Sequence, residues 1–202
     1  MLLNDMLGIK YPIIQGAMAN IATAEFAAAV SNSGALGIIG TGAWPADVAR
    51  AAITKCRELT DKPFGVNVMM MNPHTEAIFD VIAEMKPALV TTGAGNPGKY
   101  IPKLKALGIM VVPIVPTVAL ALRMQQAGAD MVIVEGTESG GHVGELTTMA
   151  LVPQVVDAVT IPVIAAGGIA DGRGFNAALS LGAIGIQVGT CLLVADECPI
   201  HI

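Results

Sequence analysis

Eight short apolar runs recur along this chain at intervals of 21 to 31 residues, and a segment with helical periodicity separates each run from the next. The runs are rich in Val, Ile, Leu and Met and are continuously apolar rather than alternating. That pattern is typical of strands covered on both faces, as in a parallel sheet. The eight predicted strands begin near Pro12, Leu36, Phe64, Ala88, Ile109, Met131, Pro162 and Gly185.

Seven amphipathic segments lie between these strands, and several end at a glycine, the residue that most often terminates a helix. The predicted helices are residues 24–33, 45–59, 75–85, 99–107, 117–127, 146–159 and 173–181. Eight strands alternating with helices predict an α/β fold, a TIM (β/α)8 barrel formed by a single domain over residues 1–202. A doubly wound open sheet is the alternative, but it normally carries GxGxxG in its first strand–helix turn, and none occurs there.

Composition excludes several classes of protein. Of 202 residues 53% are hydrophobic and 13% are charged, a balance opposite to that of disordered chains. The net charge of −5 and the absence of a Lys/Arg cluster argue against nucleic-acid binding. The longest uncharged run, 174–195, holds four glycines and several polar residues, so no membrane span is predicted.

Targeting and cysteine patterns favour a reduced compartment. The N-terminus lacks the basic region and long apolar stretch of a secretory signal, so a cytoplasmic location is expected. The three cysteines are odd in number and show no CxxC spacing, which argues against a disulfide framework or a zinc ribbon. No metal site is predicted.

Function in such barrels resides at the carboxyl ends of the strands, so polar and glycine residues there are the candidates for a site. Gly16 follows the first strand, and Asn67 interrupts the third; its amide either faces a ligand or is bonded internally. Glu135 ends the sixth strand, where it either accepts hydrogen bonds from a ligand or forms an ion pair. His142 lies in the glycine-rich loop that follows, and a histidine there suits proton transfer. His74 and His201 are interpreted as structural.

The seventh and eighth strands give the most specific chemical signal. Gly167 and Gly168 follow one, and the segment Gln187, Val188, Gly189 and Thr190 follows the other. Backbone N–H groups of glycine loops at these two positions commonly hold phosphate in TIM barrels. The alternative is that the glycines only permit tight turns, but a phosphorylated cofactor or substrate is favoured.

Seven stretches, in this order, resemble the FMN-dependent barrels that include nitronate monooxygenases and the flavin-type enoyl-acyl-carrier-protein reductases. They are YPIIQGAM, LGIIGTG, DKPFGVNVM, VTTGAGNP, GADMVIVEGTESGGHVG, IPVIAAGGIADG and IQVGT, which together cover nearly the whole chain. The VTTGAGNP and VEGTESGGHVGELTTM stretches look closer to the enoyl reductase, since nitronate oxidisers tend to carry Gln where Glu135 stands.

The resemblance implies FMN as cofactor and NADH or NADPH as co-substrate. The residues it places around the flavin are Gly16, Ala17, Met18, Asn67, Glu135, Gly140 and Gly141, with the phosphate on Gly167, Gly168 and Gln187, Val188, Gly189 and Thr190. His142 would be the catalytic residue. The implied reaction reduces a trans-2-enoyl thioester, presented as a small molecule or on acyl-carrier protein, in fatty acid synthesis. The alternatives are a nitronate monooxygenase and an inactive flavin-binding fragment.

One departure from the family pattern concerns the end of the chain. Members of the family continue beyond the position of Ile202 with a last helix and a lid, so we expect both to be absent here. Without that helix the outer faces of the first and last strands should expose an apolar groove that promotes association. A homodimer and weak turnover are the corresponding expectations.

Overall fold

The computed structural model describes residues 1–141 and 144–200, in which strands and helices alternate. The strands are β1 (Ile13–Gln15), β2 (Gly37–Gly40), β3 (Phe64–Met69), β4 (Leu89–Gly93), β5 (Met110–Val115), β6 (Val132–Glu135), β7 (Val163–Ala166) and β8 (Gly185–Val188). The helices are α1 (Leu3–Leu7), α2 (Ala24–Ser33), α3 (Ala46–Leu59), α4 (Thr75–Met85), α5 (Ile101–Ala106), α6 (Val118–Gln126), α7 (Thr148–Ala158) and α8 (Gly172–Ser180).

The strands form one parallel sheet in the order β1-β8-β7-β6-β5-β4-β3-β2, which returns β1 to the neighbourhood of β2. The contact between those two strands, here called the seam, is an isolated bridge between Ile14 and Leu36. The side chain of Gln15 supplements it, because its Oε1 accepts a hydrogen bond from the Ile38 N–H at 3.1 Å. The predicted TIM barrel is therefore confirmed.

Alternate residues of each strand pack on opposite sides of the sheet, and both sides are apolar. Ile38, Leu89 and Ile133 belong to the cluster inside the barrel. Their neighbours Ile39 and Val90 pack outwards against the helices. Burial of both faces explains why the strands are continuously apolar in the sequence.

Local signals set the ends of the helices. Thr23 caps α2 by accepting a hydrogen bond from the Phe26 N–H at 3.2 Å, and Gly34 ends that helix in the left-handed conformation. The predicted helix 146–159 is shortened to α7, which begins only at Thr148. No helix in the described chain is long and apolar enough to cross a membrane.

The sequence analysis missed α1, which closes the amino end of the barrel. Leu3 and Leu7 of this five-residue helix are buried in the interior cluster, and the Leu3 N–H donates to the Ile184 carbonyl at 2.9 Å. A Cβ on Gly185 would lie 2.7 Å from Leu3 Cδ2, so only glycine at this position leaves space for α1, which we call the plug of the barrel. Five residues are too few to show helical periodicity, which is why the pattern did not reveal this element.

The expected apolar groove beside β8 is wrong for the described chain. A 3-10 turn, Thr190–Leu192, follows β8, and no α-helix follows it among the residues described. Leu192, Leu193 and Cys198 of this segment pack on Phe26 and neighbouring residues of α2. Ile13 of β1 packs in the same cluster, and Ile186 and Val188 of β8 are buried, so the outer faces of these two strands are covered in the described chain.

The Leu3→Ala substitution tests the plug. It removes a fully buried side chain and leaves a cavity at the closed end of the barrel, so we expect the free energy of unfolding to fall by about 2–5 kcal/mol. Urea denaturation followed by circular dichroism measures the change. The matched control is Leu2→Ala, whose side chain is exposed and which should change stability little. Equal stability of the two variants would show that α1 does not seal the barrel.

Candidate functional site

The carboxyl ends of the strands surround two adjoining cavities, of about 650 and 470 Å³, which we call the larger and smaller lobes of a trough. The larger lobe lies over β6, β7, β8 and β1, and the smaller lobe over β2 to β5. Both open on the edge of the barrel where loops can vary without disturbing the core. Residues shared by the two lobes are Ala17, Ala19, Ile114, Glu135, Gly140 and Gly141.

All thirteen predicted cofactor-binding residues line one or both lobes. The larger lobe holds Gly16, Ala17, Met18, Glu135, Gly140, Gly141, Gly167, Gly168, Gln187, Val188, Gly189 and Thr190. Asn67 lines the smaller lobe. The geometry brings these residues together, and their role in binding a cofactor stays a prediction.

Free backbone donors mark one end of the larger lobe. Within the described chain the N–H groups of Gly167, Gly168, Gly189 and Thr190 donate to no protein acceptor. Gly167 and Gly168 have φ angles of +112° and +70°, a conformation that favours glycine. Consecutive unpaired N–H groups of this kind form a concave site for an anion without any lysine or arginine.

Gln187 is a polar side chain that points into the barrel beneath these donors. Only 8% of its surface is exposed, and its amide makes no hydrogen bond to any described residue, yet it lines the larger lobe. A buried amide is ordinarily paired. Its donor and acceptor are therefore available to a molecule in the trough.

Glu135 stands where the two lobes meet. Its carboxyl group is half-buried and forms no salt bridge or hydrogen bond with the described residues, so the expected alternative of an ion pair is not seen there. Burial raises the pKa of Glu135 from its ordinary value of 4.5 to about 7. The group can therefore accept or release a proton near neutral pH.

The smaller lobe is more apolar. Met69, Ile114, Pro116 and Leu120 form much of its wall. Asn67 is buried beside them, and its Nδ2 donates to Thr91 Oγ1 at 2.9 Å. One half of that amide is thus bonded internally, as one interpretation of the sequence expected, while the residue still borders the lobe.

Of the three histidines, the structure describes only His74. His142, the candidate catalytic residue, and His201 lie outside the described residues. His74 precedes α4, where its N–H donates to Asn72 Oδ1 at 2.8 Å. His74 lines neither lobe, and its interpretation as structural stays a prediction.

Glu138, which is not among the residues predicted from the sequence, also lines the larger lobe. Its carboxylate accepts hydrogen bonds from the N–H and hydroxyl of Thr148, both at 2.9 Å. Burial would raise the pKa of Glu138, but these bonds and one from its own backbone outweigh burial and lower it. An acidic residue three positions after a strand, followed by two glycines, is the sequence signal that could have identified it.

Fold and trough together define a TIM barrel with two adjoining cavities at the carboxyl ends of its strands. A family model described as nitronate monooxygenase matches residues 1–85 and 75–202. The chain belongs to the nitronate monooxygenase family.

The curated relatives of this chain are named for different enzyme activities. A probable nitronate monooxygenase of Staphylococcus saprophyticus is 38% identical over 95% of this chain and 67% of its own length. A (3aS,4S,5R,7aS)-5-hydroxy-7a-methyl-1-oxo-octahydro-1H-indene-4-carboxyl-CoA dehydrogenase of Rhodococcus jostii is 38% identical over 96% of this chain. The present chain spans 55% of the length of that dehydrogenase.

A solved structure is also similar. FabK from Thermotoga maritima is 51% identical and superposes with a TM-score of 0.97, covering 98% of this chain and 64% of that one.

The Glu135→Gln substitution tests the protonation of Glu135. A carboxyl group with a higher pKa in the folded chain holds its proton more tightly there, so the free energy of unfolding should fall as pH rises from about 4.5 to about 7. The difference between wild type and variant should change by up to about 3 kcal/mol across this range. Urea denaturation of the ligand-free proteins from pH 5 to 8 measures it. Parallel pH profiles would contradict the raised pKa.

Proposed function

We propose that this chain binds FMN in the trough and acts as an oxidoreductase that reduces the double bond of trans-2-enoyl thioesters with NADH or NADPH. The observation that carries the proposal is the row of unpaired backbone N–H groups at Gly167, Gly168, Gly189 and Thr190 beside an open cavity of about 650 Å³. Such a site suits the phosphate of a flavin mononucleotide. The adjoining lobe gives room for a second molecule.

The residues of the larger lobe fit this cofactor. The unpaired N–H groups would hold the phosphate, and the free amide of Gln187 would bond the polar chain or ring of the flavin. Gly16 and Gly140 allow the flavin to approach the backbone closely. When bound, the flavin supplies a carrier that accepts two electrons from the nicotinamide and passes them to the substrate.

The comparisons favour a thioester as substrate. FabK is a flavin-dependent enoyl-acyl-carrier-protein reductase, and the Rhodococcus relative is named for a carboxyl-CoA substrate. Both names thus refer to oxidation or reduction of a thioester-linked acyl group. The apolar wall of the smaller lobe, with Met69, Ile114 and Leu120, suits an acyl chain.

The net reaction adds a hydride equivalent to the β-carbon and a proton to the α-carbon, while NAD(P)H is oxidised to NAD(P)+. We assign the proton transfer, or polarisation of the thioester carbonyl, to His142, which follows Gly140 and Gly141 in the sequence. Because Glu135 borders both lobes and has a pKa of about 7, it can exchange a proton with this region at neutral pH.

Nitronate oxidation is the second candidate. The match to the nitronate monooxygenase family model and the Staphylococcus relative favour it. The same trough would hold the flavin, oxygen would be the oxidant, and His142 would act as a base. Both candidates need the flavin, so cofactor binding tests what they share.

The Gly140→Leu substitution tests the trough as the flavin site. A Cβ at Gly140 meets nothing within 4 Å, so the fold should tolerate the larger side chain while the trough becomes narrower. We expect FMN affinity, measured by quenching of flavin fluorescence, to fall by roughly tenfold or more. Gly172→Leu, also open but away from the lobe linings, should leave affinity unchanged. Equal affinities for FMN would place the cofactor elsewhere.

The His142→Ala substitution tests the chemistry. In an anaerobic assay with NAD(P)H and crotonyl thioester, the FMN-loaded chain should oxidise NAD(P)H, and the variant should be slower by about 10²-fold with FMN still bound. Loss of FMN from the variant would instead make His142 a binding residue. Oxygen uptake with an alkyl nitronate, and no reaction with the thioester, would select the second candidate.

A further inference from the structure

Among the described residues, the side chains of Glu138 and Thr148 link the loop between β6 and α7 to the start of that helix. Glu138 Oε1 and Oε2 lie 3.1 and 2.9 Å from the N–H of Thr148, and Oε2 also accepts the Thr148 hydroxyl at 2.9 Å. Thr148 is the first residue of α7, and the side chain of the preceding Thr147 makes no capping bond. Glu138 therefore caps the helix from ten residues away, and we call this pair the clamp.

The clamp also reaches the loop after β7. Thr148 Oγ1 lies 3.1 Å from the carbonyl oxygens of both Ala166 and Gly167. A hydroxyl has one proton and donates to one acceptor at a time, and a bond to a carboxylate is the strongest of those available. Three loop ends, from β6, from β7 and from the start of α7, thus converge on one hydroxyl group.

Glycines are required around the clamp because larger residues would displace it. A Cβ on Gly136 would overlap the N and Oγ1 atoms of Thr148, and one on Gly167 would lie 2.5 Å from that oxygen. A Cβ on Gly168 would lie 3.2 Å from Glu138 Cβ. Such close packing means that the carboxylate position fixes the path of both loops.

Gly140 and Gly141 connect the clamp to the trough. They follow Glu138 by two and three residues and line both lobes, whereas Thr148 lines neither. A Cβ at either glycine meets no other atom within 4 Å, so side-chain packing does not hold this part of the loop. Among the described residues, this loop is attached by the bonds of Glu138 to Thr148 and by the bond from the Thr137 N–H to the Leu146 carbonyl.

We propose that Glu138 is a positioning residue: through Thr148 it holds the loop of residues 136–141 in the place where that loop forms the wall of the flavin site and leads to His142. The inference rests on the proposed FMN site. It differs from direct binding because Thr148, which lines neither lobe, must matter as much as Glu138.

Binding of FMN to the whole chain tests the inference. Glu138→Ala and Thr148→Val should each weaken FMN binding by about tenfold, and the double variant should be no weaker than either single variant, since both break the same contact. Thr148→Ser keeps the hydroxyl and should restore wild-type affinity. Thr147→Val is the matched control and should bind FMN as wild type does.

Two further measurements distinguish positioning from general stability. The visible circular dichroism of bound flavin should change in Glu138→Ala and Thr148→Val but not in Thr147→Val. Amide hydrogen exchange across residues 136–141 of the flavin-free chain should be faster in the same two variants.

Two results would overturn the inference if wild type binds FMN, and hydrogen exchange decides it if wild type does not. Unchanged FMN affinity with a lower melting temperature would make the clamp merely structural, and the proposed function would stand. Weaker binding in Glu138→Ala alone would mean that Glu138 contacts the ligand directly. If wild type binds no FMN, the proposed function fails, and hydrogen exchange decides: faster exchange in both clamp variants supports loop positioning, and equal exchange overturns it.

Discussion

Closure of the parallel sheet is the constraint on which the rest of this molecule depends. Seven strand pairs are regular, but the seam between β1 and β2 has one bridge, between Ile14 and Leu36, and the side-chain bond from Gln15 to Ile38. The regular pair of β1 with β8 places Gly16 beside Val188 and Gly189, and the seam joins this pair to β2. The seam thus joins the strands of the larger lobe to those of the smaller lobe, and Ala17 and Ala19, after β1, line both lobes.

The trough is built mainly from backbone rather than from charged side chains. The larger lobe is lined by six glycines, and one end of it presents N–H groups that are unpaired among the described residues. The low charge of the chain is therefore compatible with an anionic ligand. Charge counts alone would have missed such a site, since the partial charges of peptide groups do not appear in a composition.

The sequence predicted the barrel and the place of the site because both follow repeated patterns. Continuous apolar runs identified the strands, and glycine or polar residues after them identified the residues that line the trough. Three features escaped because they depend on contacts between distant residues. Leu3 of α1 packs into the barrel interior, and Leu192 packs on α2 from a segment without periodicity. Glu138 accepts hydrogen bonds from Thr148, ten residues away. The raised pKa of Glu135 likewise depends on burial, which its neighbours in the sequence do not reveal.

The wall that the two lobes share has a consequence for how this family can diversify. Gly140 and Gly141 border both cavities, so a larger side chain at either position would reduce the space of both lobes at once. Residues such as Met69 and Leu120 border only the smaller lobe, and Gly168 and Thr190 only the larger. Substitutions in these separate walls can therefore change the shape of one lobe alone, while substitutions of Gly140 or Gly141 change both lobes. New specificities should accumulate after β2 to β5 and leave the common boundary unaltered.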